Sequence, residues 1–580
     1  MSPFVESSEA GAGISEREGT GILLNLHSES TKAPLISKLE HADIELSFDV
    51  MLARHAHSGI YLQGRYELQL FDSWGERNPS FADMGGIYRD WEELSNEIYL
   101  GKAPLSNAAK APGLWQHVHL RFKAPRFDDQ SNKIANARFV FVDLNGQRIH
   151  NNLEIPQTTA GSISKEEAVR GPLMFQGDHA FHGTNGTVAI RNIRYKLLSE
   201  LSVALNDINY EVYEGSFSKI SEFDEASKVT TGKSEKIDAT LAGRENNYGV
   251  VFSGTITLKQ ADTYTFTLGH TGGVKFELDA KALIDHQNKG EGRKKASLEL
   301  DAGTYNFTLY NFKTSGWRAP RLALFIEGKN TYPVSLHEYE SYPQSLDLPS
   351  PIYDDVGAEP RLLRAFFDFY DNQQATRLSH TIGVGDPAGM HYVYDLNNAN
   401  LVAMWRGDFV DATPMWHLRG DGSFRPRGAP VYTFNGHPIA QSAANKVAFH
   451  KQADRTSFRP RGYRLNKDTK QPIFLYDFGG RRFEHHIAPQ HYTHLTNRLL
   501  VTDPITGDIE TESVSKAPFF YKLAHSHQIT KMEDNTFLIG DGDYYIRLDT
   551  AYSAQIMSDG EHKELIVQLN DDDLVWDVIW

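Results

Sequence analysis

A polar and an apolar set of side chains alternate along residues 58–75, which read SGIYLQGRYELQLFDSWG. The polar set is Arg65, Glu67 and Gln69, and the apolar set is Tyr66, Leu68 and Leu70. Because successive side chains of a strand point to opposite faces, this pattern predicts a hairpin of two half-buried strands with a polar shelf on one face. On a curved antiparallel sheet such a shelf is where a sugar would lie, and a solvated sheet face is the alternative interpretation.

The carboxylates near this shelf do not match an ordinary glycosidase. A retaining enzyme places two carboxyl groups about 5 Å apart, which on one strand requires acidic residues two positions apart. Here Glu67 is followed on its own parity by Gln69 and Phe71, whereas Asp72 lies on the other parity or past the strand end. The sequence therefore favours chemistry that needs one carboxylate.

Two histidine groups are candidates for metal binding. His117 and His119 share a strand face in WQHVHL, and a His-x-His pair is a metal half-site, although such a pair is also common on a solvated strand face. A second group in HHIAPQHYTH is interpreted as a surface cluster around Pro489; it consists of His485, His486, His491 and His494. No cofactor is assigned from the sequence, and a divalent metal ion stays an alternative.

Composition bounds the class of protein. The chain has 580 residues, which predicts several domains, and its 40% hydrophobic content with many Tyr, Phe and Gly is typical of a β-rich globular protein. A net charge of −16 without a basic stripe argues against a nucleic-acid partner. The chain has no cysteine, so disulfides, thiol catalysis and cysteine metal sites are excluded.

The apolar runs of the sequence are short. No run approaches the roughly 18–20 apolar residues of a membrane helix, so we expect no membrane span. The initial run MSPFVESSEAGAG has neither the basic start nor the apolar centre of a signal peptide.

Several motifs in series resemble one known family. After SGIYLQGRYELQLFDSWG come, in order, GGIY (85–88), APGLWQHVHLRFKAPRFD (111–128), VDLNGQRIHNNLEIP (142–156), GPLMFQGDH (171–179) and VAIRNIRY (188–195). Over residues 15–198 this order and wording resembles the 3-keto-disaccharide hydrolase domain family. The resemblance implies a jelly-roll sandwich related to concanavalin-type lectins and glucanases. It also implies cleavage of glycosides whose sugar is already oxidised at C3.

That activity would need few groups. A ketone at C3 makes the C2 proton acidic, so one base can expel the C1 substituent by elimination, and water can then add back. Under the resemblance, Glu67 or His179 is the base, and Arg65 or a bound divalent cation polarises the ketone. Candidate substrate contacts around the shelf are Gln69, Gln176, Tyr61, Tyr88 and Asp72, with Trp74 and Trp91 as further aromatic candidates.

The middle of the chain has regular short strands separated by turns with Gly or Asp. Over residues 205–332 it resembles a protective-antigen-type β domain. Sugar-binding members of that family hold calcium with two adjacent aspartates, and the FELDAKAL turn offers only Asp279. We therefore expect a structural spacer, or a wall of the neighbouring site, that binds no calcium and no free sugar.

A Pro-rich linker is predicted over residues 333–360, since proline stiffens the chain and prevents regular pairing. Residues 361–580 are again strand-like and resemble an accessory β domain of cytochrome-linked sugar dehydrogenase-like proteins, for which no chemistry is implied. The predicted fold class is all-β: a concanavalin-like jelly roll followed by two further β-sandwich-like domains.

Two functions of different class follow. The favoured one is a carbohydrate-active enzyme, secreted or located in the periplasm or at the cell surface, that cleaves 3-keto-glycosides by elimination and hydration at C1–C2. The alternative is a non-catalytic, lectin- or adhesin-like protein that binds a polysaccharide. In both cases the partner is an oligosaccharide or glycoside.

Overall fold

The structure is a computed structural model of the chain. It describes residues 21–25, 33–90, 99–177, 187–288, 290–314, 316–343, 350–371, 374–417, 421–442, 447–454, 456–502, 518–569 and 573–580. The described chain is nearly all antiparallel β-structure, which confirms the predicted fold class. It divides into two compact units, residues 1–195 with 351–580, and residues 196–350.

The N-terminal part of the first unit is a sandwich of two sheets. Its strands are β1 (Ile22–Asn25), β2 (Leu35–His41), β3 (Asp43–Leu52), β4 (His57–Leu62), β5 (Tyr66–Phe71), β6 (Trp115–Lys123), β7 (Arg126–Phe127), β8 (Lys133–Ala135), β9 (Ala137–Leu144), β10 (Gln147–Ile155), β11 (Gly171–Phe175) and β12 (Val188–Leu198). One sheet has the order β1-β12-β3-β6-β9-β10 and the other β2-β11-β4-β5, while β7 and β8 form a separate pair.

Alternation of side chains decides which face of each strand enters the sandwich. On β5 the ring of Tyr66 packs against Phe122 of β6, with ring centres 5.2 Å apart. Leu68 and Leu70 share that parity and are fully buried, so the apolar face of β5 points into the sandwich, as the alternation predicts. Between β9 and β10, Asn145 and Gly146 both have positive φ, which confirms a two-residue hairpin turn there.

The second unit is also a two-layered β-structure. Its strands are β13 (Val203–Glu214), β14 (Lys228–Ser234), β15 (Tyr248–Leu258), β16 (Asp262–Thr271), β17 (Gly273–Leu278), β18 (Lys281–His286), β19 (Glu291–Leu300), β20 (Gly303–Lys313), β21 (Leu322–Glu327) and β22 (Val334–Ser335). The sheets have the orders β14-β13-β15-β20-β17-β18 and β19-β16-β21-β22, around an aromatic core that includes Tyr264, Phe266 and Phe276. Short 3-10 turns span Ile220–Glu225, Ala239–Ala242 and Tyr339–Ser341.

The described residues of the rest of the first unit form twenty strands and the short helix α1 (Thr413–His417). The strands are β23 (Tyr353–Asp354), β24 (Arg361–Asp371), β25 (Gln374–Gly385), β26 (Met390–Asp395), β27 (Asn400–Arg406), β28 (Asp408–Asp411), β29 (Arg425–Arg427), β30 (Val431–Tyr432), β31 (Ile439–Gln441), β32 (Phe458–Leu465), β33 (Pro472–Phe478), β34 (Arg481–Gln490), β35 (His494–Thr502), β36 (Phe519–Ser526), β37 (Ile529–Lys531), β38 (Thr536–Ile539), β39 (Tyr544–Leu548), β40 (Ala554–Asp559), β41 (His562–Leu569) and β42 (Asp573–Ile579). A 3-10 turn spans Glu533–Asn535. The sheets have the orders β23-β28-β29, β24-β25-β26-β27-β30, β31-β36-β41-β40 and β32-β33-β34-β35-β42-β39-β38-β37.

Residues 351–580 pack directly against the N-terminal sandwich. The Tyr545 hydroxyl donates to the carbonyl of Pro112 at 3.0 Å, and the Trp74 indole donates to the backbone oxygen of Trp580 at 2.8 Å. Ala111 and Leu114 share one apolar cluster with Tyr545. These contacts explain why parts of the chain separated by 155 residues form one compact unit.

The predicted linker contributes strands at both ends. β22 pairs with β21 of the second unit, and β23 pairs with β28 of the first. Residues 344–349 lie outside the described residues. Within the described chain, no helix is both long and apolar enough to cross a membrane.

Candidate functional site

Strand pairing brings Glu67 into a row of polar side chains on the outer face of the four-stranded sheet. On β4 and β5, Tyr61 lies opposite Glu67, and Gly59 lies opposite Gln69. Beyond the β5 edge, Ile87 bridges to Leu68, and the backbone N–H of Tyr88 donates to the Glu67 carbonyl at 3.3 Å. Glu67 is therefore flanked by one tyrosine on each side.

The Glu67 carboxyl group is buried, with 2% of the residue exposed. Burial raises its pKa from 4.5 to about 8, and a hydrogen bond with the Tyr61 hydroxyl only partly offsets this. Gly59 makes room for the carboxyl group, because a Cβ atom at that position would lie 2.2 Å from the Glu67 Oε1 atom. Glu67 therefore has a raised pKa, and its carboxyl group is held in one position.

Both flanking tyrosines are neutral hydrogen-bond donors. Burial, together with the nearby Glu67 charge, raises the pKa of Tyr61 and of Tyr88. The Tyr61 hydroxyl donates to the carbonyl of Ala160 at 3.0 Å, and a Cβ atom on Gly161 would lie 2.6 Å from the same hydroxyl. The 156–166 loop therefore closes over the Tyr61 side of the row.

Buried polar contacts hold that loop. The Lys165 ammonium lies 2.8 Å from Asp90 Oδ1, and the Gln157 amide donates to Asp90 Oδ2 at 3.2 Å. The N–H of Ala160 donates to the carbonyl of Arg89 at 3.0 Å. Reasoning from the sequence missed Asp90 and Lys165, because they are separated by 75 residues and belong to no local pattern.

Two predicted glutamines lie on the same outer face. The Gln176 N–H donates to the Gly59 carbonyl at 2.8 Å, which places it beside the row. Gln69 is 2% exposed, and its Oε1 atom accepts no hydrogen bond from the described residues. A buried amide oxygen without a hydrogen-bond partner can accept a hydrogen bond from a ligand hydroxyl.

Other predicted site residues are placed differently. The Arg65 guanidinium donates to the carbonyls of Glu166 at 2.7 Å and Gln63 at 2.9 Å, so it fixes the loop and is not among the groups that set the pKa of Glu67. Asp72 accepts from the backbone N–H of His55 at 2.9 Å and shapes the turn after β5.

Some of the predicted aromatic contacts also lie outside the polar row. Trp74 belongs to the contact with Trp580, not to the polar row. His179 and Trp91 lie outside the described residues.

The predicted metal candidates have separate partners. His117 Nδ1 lies 2.8 Å from Asp49, and His119 Nε2 lies 2.9 Å from Glu45, both on the six-stranded sheet. His485 is fully buried between Tyr394 and Asn497, so the predicted surface cluster is wrong for this residue.

One group of metal-type donors does converge within the described chain. Ligand atoms of His525, Asp559 and Glu564 lie within 4.8 Å of one another. However, the Lys522 ammonium already lies 2.8 Å from Glu564 Oε1 and neutralises that carboxylate.

The second unit has a small pocket of its own. A cavity of about 140 Å3 is bordered by Trp317, which is 90% exposed, and by Thr271. Thr271 is 3% exposed, and its hydroxyl has no hydrogen-bond partner among the described residues. Asp279, the single aspartate at the turn where sugar-binding members of the family hold calcium, accepts from the backbone N–H of Asn306 at 2.8 Å, in a turn where it has a positive φ.

Two families match parts of the chain. Residues 8–196 match the family described as 3-keto-alpha-glucoside-1,2-lyase-like domain, and residues 208–333 match the PA14 domain. These matches confirm the resemblance of the first two domains, whereas that of residues 361–580 stays a prediction. No curated protein matches the chain. The chain therefore has a region similar to a 3-keto-alpha-glucoside-1,2-lyase-like domain, followed by a region similar to a PA14 domain.

Similarities to solved structures are distant. A "putative glycosyl hydrolase" from Parabacteroides distasonis ATCC 8503 is 23% identical, covering 29% of this chain and 70% of that chain with a TM-score of 0.24. A "PA14 sugar-binding domain from RTX adhesin" is 14% identical, covering 23% and 95% with a TM-score of 0.18. An "anti-sigma factor domain-containing protein from Clostridium clariflavum" is 12% identical, covering 52% and 83% with a TM-score of 0.21.

Proposed function

We propose that the N-terminal domain cleaves 3-keto-glycosides by elimination, followed by hydration, with Glu67 as the base. The observation that carries this proposal is the buried Glu67 carboxyl group between Tyr61 and Tyr88, whose pKa burial raises to about 8. A general base works best when its pKa is near the working pH. The family match of residues 8–196 supplies the substrate class.

In the first step, the ionised Glu67 takes the proton from C2 of the oxidised sugar. The C–H electron pair moves toward C2–C3 and is held by the C3 ketone as an enolate. It then forms a C1–C2 double bond as the bond from C1 to the aglycone oxygen breaks, and that oxygen leaves with a proton from solvent. In hydration, the oxygen of water bonds to C1 and releases one proton to solvent, the C1–C2 double bond breaks as its electrons move to the C3 ketone, and C2 then takes its proton back from Glu67, so no net oxidation occurs.

The enolate oxygen needs donors, and the site offers neutral ones. We assign this role to Tyr88, whose hydroxyl stays protonated because burial and Glu67 raise its pKa. The Tyr61 hydroxyl donates its one proton to the Ala160 carbonyl, and the Arg65 guanidinium is likewise bonded to loop carbonyls. The Gln69 amide, with its unpartnered Oε1, would accept from a sugar hydroxyl.

The test is turnover of a 3-keto-disaccharide by the full chain, with and without chelator. Positioned bases contribute about 10²–10⁴-fold, so Glu67→Gln should lose activity in that range while keeping its circular-dichroism spectrum. Glu40→Gln is the matched control, because Glu40 is exposed on β2 of the same sheet. A loss of less than tenfold in Glu67→Gln would assign the base to another residue, and His179→Ala is the variant to measure beside it.

A second candidate function, polysaccharide binding, is favoured by the pocket beside Trp317. Sugars stack on exposed aromatic rings, and the unpartnered Thr271 hydroxyl could bond to a sugar hydroxyl at the cavity wall. A neighbour in fold is named as a sugar-binding PA14 domain. Glycan-array binding by wild type that is lost in Trp317→Ala and kept in Glu67→Gln would support this function independently of catalysis.

Location is a further part of the proposal. An enzyme for glycosides of this kind, without cysteine, suits the periplasm, the cell surface or the medium. Fractionation of the producing cells, with an antibody against the chain, tests it. Recovery in the cytoplasmic fraction alone would refute this part.

A further inference from the structure

Three strands of the sheet β31-β36-β41-β40 bring metal-type donors to one end of one face. On β41, His562 and Glu564 are two positions apart and therefore share a face. Glu564 lies opposite His525 of β36, and His562 lies opposite Asp559 of β40, so all four side chains are on that face. Leu565, of the other parity, belongs to the hydrophobic core. The four polar side chains thus lie on the face that points away from the core.

The spacing of the donor atoms fits a single ion. Ligand atoms of His525, Asp559 and Glu564 lie within 4.8 Å of one another. His525 Nδ1 is a buried atom that makes no hydrogen bond with the described residues, although it lies 3.5 Å from Glu564 Oε1. In a tetrahedral zinc site, where ligands lie about 2.0–2.2 Å from the ion, two donor atoms are about 3.4 Å apart. These two atoms are therefore spaced as two ligands of one ion are.

The ion pair with Lys522 leaves Glu564 able to bind a metal ion. The Lys522 ammonium lies 2.8 Å from Glu564 Oε1 and is held near the rings of Phe434 and Phe449, at 5.0 Å and 4.7 Å from their centres. A carboxylate has about four lone-pair sites on its two oxygens, and the ammonium uses one of them. Carboxylates that bind metal ions commonly accept a hydrogen bond that orients them. Lys522 is placed to do this for Glu564.

The charges of the group also favour a cation. The charges of Glu564 and Lys522 cancel, whereas Asp559 makes no ion pair with any residue that the structure describes. With a neutral imidazole on His525, the group therefore has one net negative charge. A divalent cation between the histidine nitrogen and the two carboxylates would supply the missing positive charge.

The donor types select among divalent cations. Calcium and magnesium ions take oxygen ligands, whereas zinc takes histidine nitrogen together with carboxylate oxygen. The fourth tetrahedral position is left to water or to His562, whose exposed ring stacks on that of His525 with the ring centres 4.8 Å apart. The mixed set of one nitrogen and two carboxylates therefore fits zinc.

From these observations we propose that His525, Asp559 and Glu564 form a zinc site. The ion would connect β36, β41 and β40, and so would hold the β40–β41 hairpin to the rest of the sheet. Its role is structural, because a metal ion that binds only the folded chain stabilises the fold. The sequence gave no local signal for this site, since His525 is 34 residues from Asp559. The proposal does not depend on the reaction assigned to Glu67.

The test titrates the full chain, stripped of metal with a chelator that is then removed, with Zn²⁺, Ca²⁺ and Mg²⁺ in separate isothermal experiments. Wild type should bind one Zn²⁺ per chain saturably, and more tightly than either other ion. Loss of a residue that only orients a ligand costs about 10–100-fold in affinity, so His525→Ala and Asp559→Asn should each weaken zinc binding at least tenfold. His527→Ala is the matched control, a change at an exposed histidine two residues from His525, and should not weaken it.

Urea unfolding gives a second measurement. Zn²⁺ should raise the urea midpoint of wild type and of His527→Ala, but not that of His525→Ala. Asp559 is exposed, so Asp559→Asn keeps the test decisive if His525→Ala fails to fold.

Each outcome decides the proposal. A tenfold loss in both His525→Ala and Asp559→Asn supports it, and His562→Ala then shows whether His562 or water takes the fourth position. Absence of saturable zinc binding by wild type would overturn the proposal. So would zinc binding that is unchanged in both variants, because the ion would then lie at other histidines. Binding of Ca²⁺ or Mg²⁺ as tight as that of Zn²⁺ would also overturn it, because that result indicates a site made of oxygen ligands.

Discussion

Replacing Glu67 by Gln should stabilise the protein, and increasingly so at higher pH. The carboxyl group is buried, and its pKa is raised from 4.5 to about 8 in the folded state. An acid with a raised pKa in the folded state favours folding fully only while it is protonated. That contribution is present below pH 4.5 and is lost as the pH rises through about 8.

The magnitude follows from these two pKa values. Each pH unit between them changes the free energy of unfolding by about 1.4 kcal/mol. Between pH 5 and pH 8 the wild-type chain should therefore lose about 3–4 kcal/mol relative to Glu67→Gln, as an order of magnitude. Any constant difference in packing between the carboxyl and the amide cancels, because only the change with pH is compared.

Urea unfolding of both proteins at pH 5, 6, 7 and 8 measures this difference. The midpoint of Glu67→Gln should move above that of wild type progressively as the pH rises. Glu40→Gln, a change at an exposed carboxylate of the same sheet, should follow wild type throughout. If the difference between Glu67→Gln and wild type is the same at pH 5 and pH 8, Glu67 does not carry the burial penalty and the site argument fails.

Three further predictions follow from the same structure. Because Glu67 must be ionised to act as the base, kcat/KM for a 3-keto-disaccharide should rise with pH, with an apparent pKa near 8. A fall of kcat/KM with the same apparent pKa would make Glu67 the general acid instead. Gly59→Ala should destabilise the sandwich by about 1–3 kcal/mol and lower turnover more than tenfold, since its Cβ would lie 2.2 Å from Glu67 Oε1. Combining Gly59→Ala with Glu67→Ala should relieve the destabilisation measured by urea unfolding. Acid should destabilise the protein between pH 6.5 and about pH 4, because burial lowers the pKa of several histidines, which take up a proton more readily when the chain is unfolded. A urea midpoint unchanged from pH 7 to pH 4 would contradict this. The histidines are His41, His150, His391, His437 and His485.

The face of β5 was predictable because it depends only on alternation. A strand with apolar residues at every second position must bury that parity, and Tyr66 does pack into the sandwich. The Asn145–Gly146 turn was predictable for a similar reason, since positive φ at two consecutive residues selects these residue types.

The roles of neighbouring residues were less predictable. Arg65 shares the parity of Glu67 in the sequence, but β5 begins at Tyr66, so Arg65 belongs to the preceding turn and bonds to the loop at Glu166. Likewise Trp74 follows the strand closely, yet its indole donates to the backbone oxygen of Trp580, more than 500 residues later. Parity fixes direction only inside a strand, and no local pattern encodes a partner that distant.

By itself, the sequence determined that this protein is built of antiparallel strands, and which side chains share a face, because strand geometry repeats every two residues. Its motifs also pointed to the families of the first two domains. Only the tertiary structure decided that the 156–166 loop closes over the Tyr61 side of the row that contains Glu67, and that Tyr88 joins Tyr61 beside Glu67. The raised pKa of Glu67 results from its burial, because atoms from distant parts of the chain exclude water from the carboxyl group.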